Sequence, residues 1–416
     1  MGRERTGTAG RFDAAVTGVG MVTAAGIGTA ASWERIRLGA GTQATAVPAL
    51  ADIPANFACA VTDFDATAEL GAREAWRFDR SSQLALVAAA EAVADCGLDP
   101  ATWDGGRVGV VLGNGIGGAA TWEKQHRKLL DAGPRRVSPR LIPMLSINMT
   151  AGYVSMAYGA RGPSLVTATA CASGTTAIGT ARDLLRSGAC DVVITGGAEA
   201  PLTPSLVCGF SQMGALSRRR DDITAASRPF DADRDGFVPA EGAAVLVLER
   251  AEDARARGAR IRAMVSGYGS SADAYHATAP DPHYVGAELA LRAALRDAGI
   301  GPDEVDHVNA HGTATVINDA TEARMIRGVL GDRPLVTSVK GVVGHSLAAS
   351  GAIEAVTSVL TLEESFVPPT ANLETLDPEI ELDVVAKEGR ETPVEVVVSN
   401  SFGFGGQNAV LLLTRA

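Results

Sequence analysis

The sequence predicts an α/β protein built from two copies of one unit. Short apolar runs alternate along the chain with longer segments rich in small residues. Runs such as Val192-Val193-Ile194 and Val245-Leu246-Val247-Leu248 are continuous rather than alternating, which suits strands buried on both faces. Four segments of the first half also recur, in the same order, in the second, the signature of a duplication. With 416 residues, 46% of them apolar, the chain can bury a large core, and a disordered protein is excluded.

Taken in order, Val16 to Val22 reads as a strand followed by a small-residue turn, and Arg80 to Ala94 as a helix with Leu84, Val87, Ala88 and Val93 on one side. Arg107 to Leu112 reads as a strand running into the glycine cluster Gly113 to Gly118. Leu165 to Thr169 is a strand leading to Cys171, Ala172 to Arg186 a helix, and Asp191 to Thr195 a strand. Strands that alternate with helices imply a mainly parallel sheet.

The repeat pairs Val16-Thr17-Gly18-Val19-Gly20 with Val265-Ser266-Gly267-Tyr268-Gly269, and Leu165-Val166-Thr167 with Leu335-Val336-Thr337. Val192 to Gly197 pairs with Val396 to Asn400, and Gly242 to Arg250 with Gly406 to Arg415. The expected halves are 14–260 and 261–416, packed face to face, with a long insertion around 198–240 in the first.

Composition excludes several functions. Lys and Arg number 37 against 48 Asp and Glu, a net charge of −11, which argues against a general nucleic-acid binder. No apolar run approaches a membrane span. Cys59, Cys96, Cys171, Cys190 and Cys208 are odd in number, widely spaced and without C-x-x-C, so neither a disulfide framework nor a zinc site is expected, and a cytoplasmic location fits best. Met1 to Asp13 is polar and lacks the apolar stretch of a signal peptide. Met1-Gly2…Thr6 fits a myristoylation pattern, but no basic patch or second anchor accompanies it.

Cys171, in Thr169-Ala170-Cys171-Ala172-Ser173-Gly174, follows a strand and opens a small-residue helix. A helix start favours the thiolate and offers free backbone N–H groups, so Cys171 is the candidate nucleophile and the other four cysteines are expected in the core. His311 follows a strand in His311-Gly312-Thr313-Ala314-Thr315, and His345 opens the second-half counterpart of the helix after Cys171. The duplication makes His345 the expected pseudo-symmetric partner of Cys171, the two meeting between the halves. His126, His276, His283 and His307 lie in polar segments and are expected at the surface. The glycine runs match neither a dinucleotide fingerprint nor a Walker A sequence.

These motifs, with the terminal Ser399-Asn400-Ser401-Phe402-Gly403-Phe404-Gly405-Gly406 loop and Arg228-Pro229-Phe230-Asp231…Arg234-Asp235-Gly236-Phe237-Val238 in the insertion, resemble the β-ketoacyl-[acyl-carrier-protein] synthases. The likeness is to the type II elongating enzymes of fatty acid synthesis and their polyketide relatives, and it spans about 14–416. It implies the thiolase fold, a duplicated α/β unit forming a five-layer αβαβα sandwich. It also implies a decarboxylative Claisen condensation of an acyl-enzyme with malonyl-[acyl-carrier protein]. On this resemblance Cys171 is the nucleophile, and His311 and His345 donate hydrogen bonds to the malonyl thioester oxygen. The N–H groups of Cys171 and Phe404 form the oxyanion hole, Lys340 and Glu354 set the local charge, and Thr313 and Thr315 hold the pantetheine arm. Ile116 and Phe210 match acyl-pocket positions, and Arg73 and Arg77 match a basic docking patch in which Trp76 replaces a basic residue. No metal or redox cofactor is implied; phosphopantetheine arrives on the acyl carrier protein. The expected assembly is a homodimer or a heterodimer with a chain-length-factor-like subunit, with no nucleic acid and no membrane.

Val316 stands where the family usually has proline, Ala348 where it usually has glycine, and Gln407 where threonine is common. These departures favour a specialised polyketide or polyene pathway over housekeeping fatty-acid synthesis. A catalytically silent partner subunit or a cysteine acyl hydrolase are the alternatives of another class; Cys171 speaks against the first.

Overall fold

The computed structural model describes residues 12–416; the tail carrying the myristoylation-like pattern lies outside the described residues. The principal strands of the first half are β1 (Ala14–Thr23), β2 (Val108–Gly113), β3 (Ser164–Thr167), β4 (Val192–Glu199) and β5 (Gly242–Arg250). Those of the second half are β6 (Ala263–Ala272), β7 (His307–Asn309), β8 (Leu335–Thr337), β9 (Val396–Gly403) and β10 (Gln407–Thr414). The sheet order is β3-β2-β4-β5-β1-β6-β10-β9-β7-β8, with Asp383–Val384 added beyond β8 and Gly26–Ile27 pairing β1. Each half therefore has the same internal order, and the two meet where Ala14 to Val16 pair antiparallel with Ala263 to Val265.

The sheet is mixed rather than mainly parallel. In each half β2 or β7 pairs parallel with both neighbours, and Asp383–Val384 pairs parallel with β8, while the remaining pairs are antiparallel. The connection Phe404-Gly405-Gly406 between β9 and β10 shows why: a link this short can join only antiparallel strands.

The main helices are α1 (Arg80–Cys96), α2 (Ala119–Ala132), α3 (Met149–Tyr158), α4 (Ser173–Arg186), α5 (Pro204–Gln212), α6 (Val285–Ala298), α7 (Val316–Leu330) and α8 (Ser350–Glu364). Asp79 and Gly97 bound α1: the aspartate carboxylate accepts from Ser81 N–H, and the glycine adopts the left-handed conformation. Val110, Leu112, Val192, Ile194, Val245 and Val247 pack outward against α1 and α3, whereas Val111, Val193, Leu246 and Leu248 turn inward. The second half repeats this, with Val396, Val398, Val410 and Leu412 facing α6 and α7 and Val397, Leu411 and Leu413 facing in. The inward faces enclose α4 and α8, giving five layers. The repeated Val-x-Gly-x-Gly has a direct cause. A Cβ at Gly20 would sit 2.0 Å from the Ala88 carbonyl of α1, and one at Gly269 equally close to the Ala290 carbonyl of α6.

α4 and α8 cross tightly at their N-termini. A Cβ at Gly174 would lie 2.8 Å from Ala352 N, and one at Gly351 would lie 2.0 Å from Thr175 Oγ1 and 2.8 Å from Ser401 Oγ. Each helix is preceded by a tight turn, Ala170–Ala172 or Leu347–Ala349, whose first residue is forced to positive φ, 48° at Ala170 and 47° at Leu347. These twin turns correct one expectation. Ala348, not His345, occupies the position equivalent to Cys171, and His345 stands three residues earlier.

Gly351→Ala should lower stability by about 1–3 kcal/mol, the usual range for overpacking, and lower the rate of Cys171 acylation with it. Gly209→Ala, where the new Cβ meets nothing within 4 Å, should stay within about 0.5 kcal/mol. Thermal melts of both variants, with acylation followed by mass, check this.

Candidate active site

The turn before α4 delivers Cys171, and the turn before α8 follows His345. His345 Nε2 lies 3.1 Å from Cys171 Sγ, and its Nδ1 lies 2.9 Å from Ser350 Oγ. His311, at the end of β7, faces His345 edge-on, the ring centroids 5.4 Å apart. The three residues picked from the sequence are thus together, and all three are buried.

Two carboxyls and a lysine fix His311. Glu322 accepts the backbone N–H groups of His311 and Gly312, each at 2.8 Å, and the Asn400 side-chain amide at 3.1 Å. Lys340 Nζ donates to the His311 carbonyl at 2.6 Å and to Glu354 Oε1, and lies 3.4 Å from His311 Nδ1. An ammonium can only donate, so Nδ1 is the acceptor and the His311 proton is on Nε2. Lys340 and Glu354 do not line the cavity. The expectation that Glu354 belongs to the substrate-binding set is therefore corrected: its carboxyl is held by Lys340 behind His311.

Burial sets the protonation states. Both imidazoles are pushed well below their ordinary value, first by desolvation and then by the charge of Lys340, so both are neutral at pH 7. The Cys171 thiol is pushed up to about 12 by burial, against opposing pulls from Lys340 and the Phe404 N–H. The helix start does not outweigh this desolvation, so the resting sulfur is a thiol, contrary to the thiolate expected from position alone. Its proton has a neutral acceptor in His345 Nε2.

A cavity of about 510 Å³ opens onto this group. Ile116, Phe210, Thr313, Thr315 and Phe404 line it. The Thr313 and Thr315 hydroxyls are 2.9 Å apart, and Val316 and Ile317 are exposed at the same cavity. Phe210 packs against Phe237 and, at 6.4 Å, against Phe404. The Phe404 loop is tied to its neighbour: Gly405 N–H donates to the Ala277 carbonyl at 2.7 Å, and Asn408 Nδ2 to Asp273 Oδ1 at 2.6 Å.

Arg73 and Arg77 are exposed, and Arg77 pairs with Glu74 at 2.8 Å. Arg140 stacks 3.8 Å above the Trp76 ring. That contact brings Arg140 beside the expected patch; Arg140 ends a basic run missed from the sequence (Lys124, Arg127, Lys128, Arg135, Arg136 and Arg140). Its signal was available, six basic residues in a net-negative chain. Ser350, Glu322 and Glu199 were also missed: Glu199 acts on a loop 84 residues away, and Ser350 and Glu322, though only 5 and 11 residues from His345 and His311, carry no motif of their own. Two placements are corrected. His307 is fully buried on β7, where desolvation pushes its pKa down to about 3, and Cys208 is exposed on α5 rather than in the core.

A buried cysteine and two neutral histidines, gathered where two halves of a duplicated α/β sheet meet, are what a thiolase-fold acyl-transfer enzyme needs. Residues 12–254 match the β-ketoacyl synthase N-terminal domain and residues 262–374 the β-ketoacyl synthase C-terminal domain; the chain belongs to the β-ketoacyl synthase family and is an acyltransferase of that family. It is 44% identical over 408 residues to 3-oxoacyl-[acyl-carrier-protein] synthase 2 of Staphylococcus aureus, covering 96% of this chain and 97% of the relative. Its fold matches the ishigamide ketosynthase/chain length factor with a TM-score of 0.90 at 34% identity, over 98% of this chain and 100% of that one. A type II polyketide ketosynthase bound to its acyl-carrier protein and the hexaketide matches with a TM-score of 0.90 at 32% identity, again over 98% and 100%.

Because the Cys171 thiol is pushed up to about 12, its iodoacetamide alkylation rate should rise about tenfold per pH unit from pH 7 to 9.5. The measurement is peptide mass spectrometry; a plateau below pH 8 would contradict the buried thiol.

Proposed function

We propose that this ketosynthase condenses a Cys171-bound acyl group with malonyl-[acyl-carrier protein], releasing CO₂ and a 3-oxoacyl-[acyl-carrier protein]. The observation that carries this is the pair of neutral imidazoles beside the sulfur at the end of one cavity. In acyl transfer, Cys171 Sγ attacks the carrier thioester and its proton passes to His345 Nε2. The oxyanion is held by the N–H groups of Cys171 and Phe404. Collapse expels the pantetheine thiolate, which takes that proton back from His345.

Malonyl thioester then binds with its carbonyl oxygen at His311 Nε2–H and His345 Nε2–H. Donation by His345 requires the other tautomer, reached by losing the Nδ1 proton to solvent and gaining one at Nε2 after the pantetheine thiol leaves; Nδ1 then accepts, and the Ser350 hydroxyl can donate there as readily as it accepts. Loss of CO₂ leaves an enolate whose charge the two N–H groups stabilise. The enolate carbon attacks the acyl carbonyl, the Cys171–acyl bond breaks, and the Cys171 thiolate takes the proton of His345 Nε2 while Nδ1 takes one from solvent, which restores the resting tautomer. Thr313 and Thr315 hold the pantetheine arm. No cofactor beyond the carrier's phosphopantetheine enters this scheme. In the cavity, Ile116 closes the inner end as a plug and Phe210 forms part of the wall.

We assign the pathway to specialised polyketide or polyene elongation on the departures Val316, Ala348 and Gln407; the 44% identity to a fatty-acid enzyme favours housekeeping synthesis as the second reading. A series of carrier-bound acyl groups, tested for condensation, separates the two. The carrier docks on Arg73, Arg77 and the adjoining basic run, where a local positive field attracts an acidic partner to a chain of net charge −11. β3 pairs only β2 among the described residues, and Leu165, Ile142 and Met156 near it are exposed. Such an edge suits a second copy of the chain or a chain-length-factor-like subunit. No described helix is long and apolar enough to cross a membrane. The described cysteines are all free, which supports a reducing, cytoplasmic setting.

Cys171→Ala should abolish acylation and condensation. His311→Ala should slow malonyl decarboxylation about 10²–10³-fold, the usual weight of one such donor, and slow acyl transfer much less. CO₂ release and acyl-enzyme mass are the two readouts. Since both imidazoles are neutral well below pH 6.5, decarboxylation by the wild type should be flat from pH 6 to 8. Arg73→Glu with Arg77→Glu should raise the apparent KM for carrier-bound acyl groups and spare small thioester mimics; an equal loss on both would count against docking there.

A further inference from the structure

Glu199 is a buried carboxyl that the reaction above does not use. It ends β4 and is fully buried, yet it reaches the wall of the acyl cavity. Its Oε2 accepts the Gly115 N–H at 2.8 Å, and the Ile116 N–H also points at this carboxyl. Oε1 has no partner among the described residues. The nearest other acid, Asp79, is engaged elsewhere, accepting from Thr121 Oγ1 at 2.6 Å. The side chain's one polar task is therefore to grip two consecutive amides of the loop that carries Ile116.

The same device holds the His311 turn, where Glu322 grips two consecutive amides. In the Ile116 loop it has more to do, because Ile116 is flanked by Gly115 and by Gly117 at φ +73°, so its backbone is otherwise free to swing. A second strut braces the loop from the same strand: Asn114 Nδ2 donates to the Ala198 carbonyl at 2.9 Å and its Oδ1 accepts from Gly117 N–H at 2.7 Å. Burial pushes the Glu199 carboxyl up to about 8, and a neutral carboxyl still accepts through its carbonyl oxygen.

We propose that Glu199 is the positioning residue that sets acyl-chain length, by clamping the Gly115 and Ile116 amides and so holding the Ile116 side chain across the inner end of the cavity. This rests on the reading of Ile116 as the plug. With the clamp intact, a long acyl chain must break the hydrogen bonds from the Gly115 and Ile116 N–H groups to Glu199 to displace Ile116, whereas a short chain never reaches it.

The test is condensation over a series of saturated acyl chain lengths with the wild type and four variants. Glu199→Ala should raise the long-to-short ratio of kcat/KM about tenfold, the weight of one or two methylenes in an apolar pocket. Glu199→Gln, which keeps an acceptor, should restore the wild-type ratio. Ile116→Ala should raise the ratio by a similar factor, and adding Glu199→Ala to it should change nothing more. A shift in Ile116→Ala but none in Glu199→Ala overturns the clamp and leaves the plug standing; no shift in Ile116→Ala overturns the plug itself. Should Glu199→Ala fail to fold, amide hydrogen exchange in the wild type decides. Gly115 and Ile116 protected like the strand amides of β2 support the clamp, and exchange as fast as in an open loop overturns it.

Discussion

The closeness of α4 and α8 governs this molecule. Two helices whose N-termini touch backbone to side chain, with no Cβ at Gly174 or Gly351 to part them, bring the turns that precede them face to face. Cys171 comes from one turn and His345 from just before the other, so a 3.1 Å contact between residues 174 positions apart follows from helix packing rather than from any local motif. The sheet halves, the outer helices and the duplicated order all serve to hold that crossing in place.

Excluding water has a second effect. The same desolvation that pushes the thiol up pushes the imidazoles down, so the resting centre carries its charge in one place, the Lys340–Glu354 pair behind His311. Burial, helped by the charge of Glu322, pushes Glu354 up to about 7 against the pull of Lys340. A buried pair of this kind is poor evidence for stability, but removing one partner strands the other. Its value here lies in direction: a fixed donor at His311 Nδ1 leaves only one nitrogen able to face substrate with a proton.

Much of this was legible in the sequence because the duplication is written in it. The paired Val-x-Gly-x-Gly strands, Cys171, His311 and His345 could all be picked out, since each follows or precedes a recognisable strand or glycine turn. Strand direction was not legible, because continuous apolar runs read alike in parallel and antiparallel neighbours. His307 was misplaced for a related reason: a polar residue at a strand start looks exposed until the strand is known to be central. The thiol's state was misjudged because helix position is local and visible, whereas burial is a property of the whole fold. Glu199 acts on a loop that only folding brings near, and no spacing rule marks Glu322 or Ser350, close as they are in sequence to His311 and His345.

The sheet order carries a cost in time. β1, the first of the described strands in chain order, lies at the centre of the finished sheet between β5 and β6. Its partners Ala243 to Arg250 are made more than two hundred residues later. At about 5–20 residues per second, that is a wait of roughly 10–50 s for an apolar strand with both edges open. Nascent chains of this protein are thus exposed to mispairing during synthesis rather than after release, and slowed translation before residue 250 would lengthen that interval for every copy made.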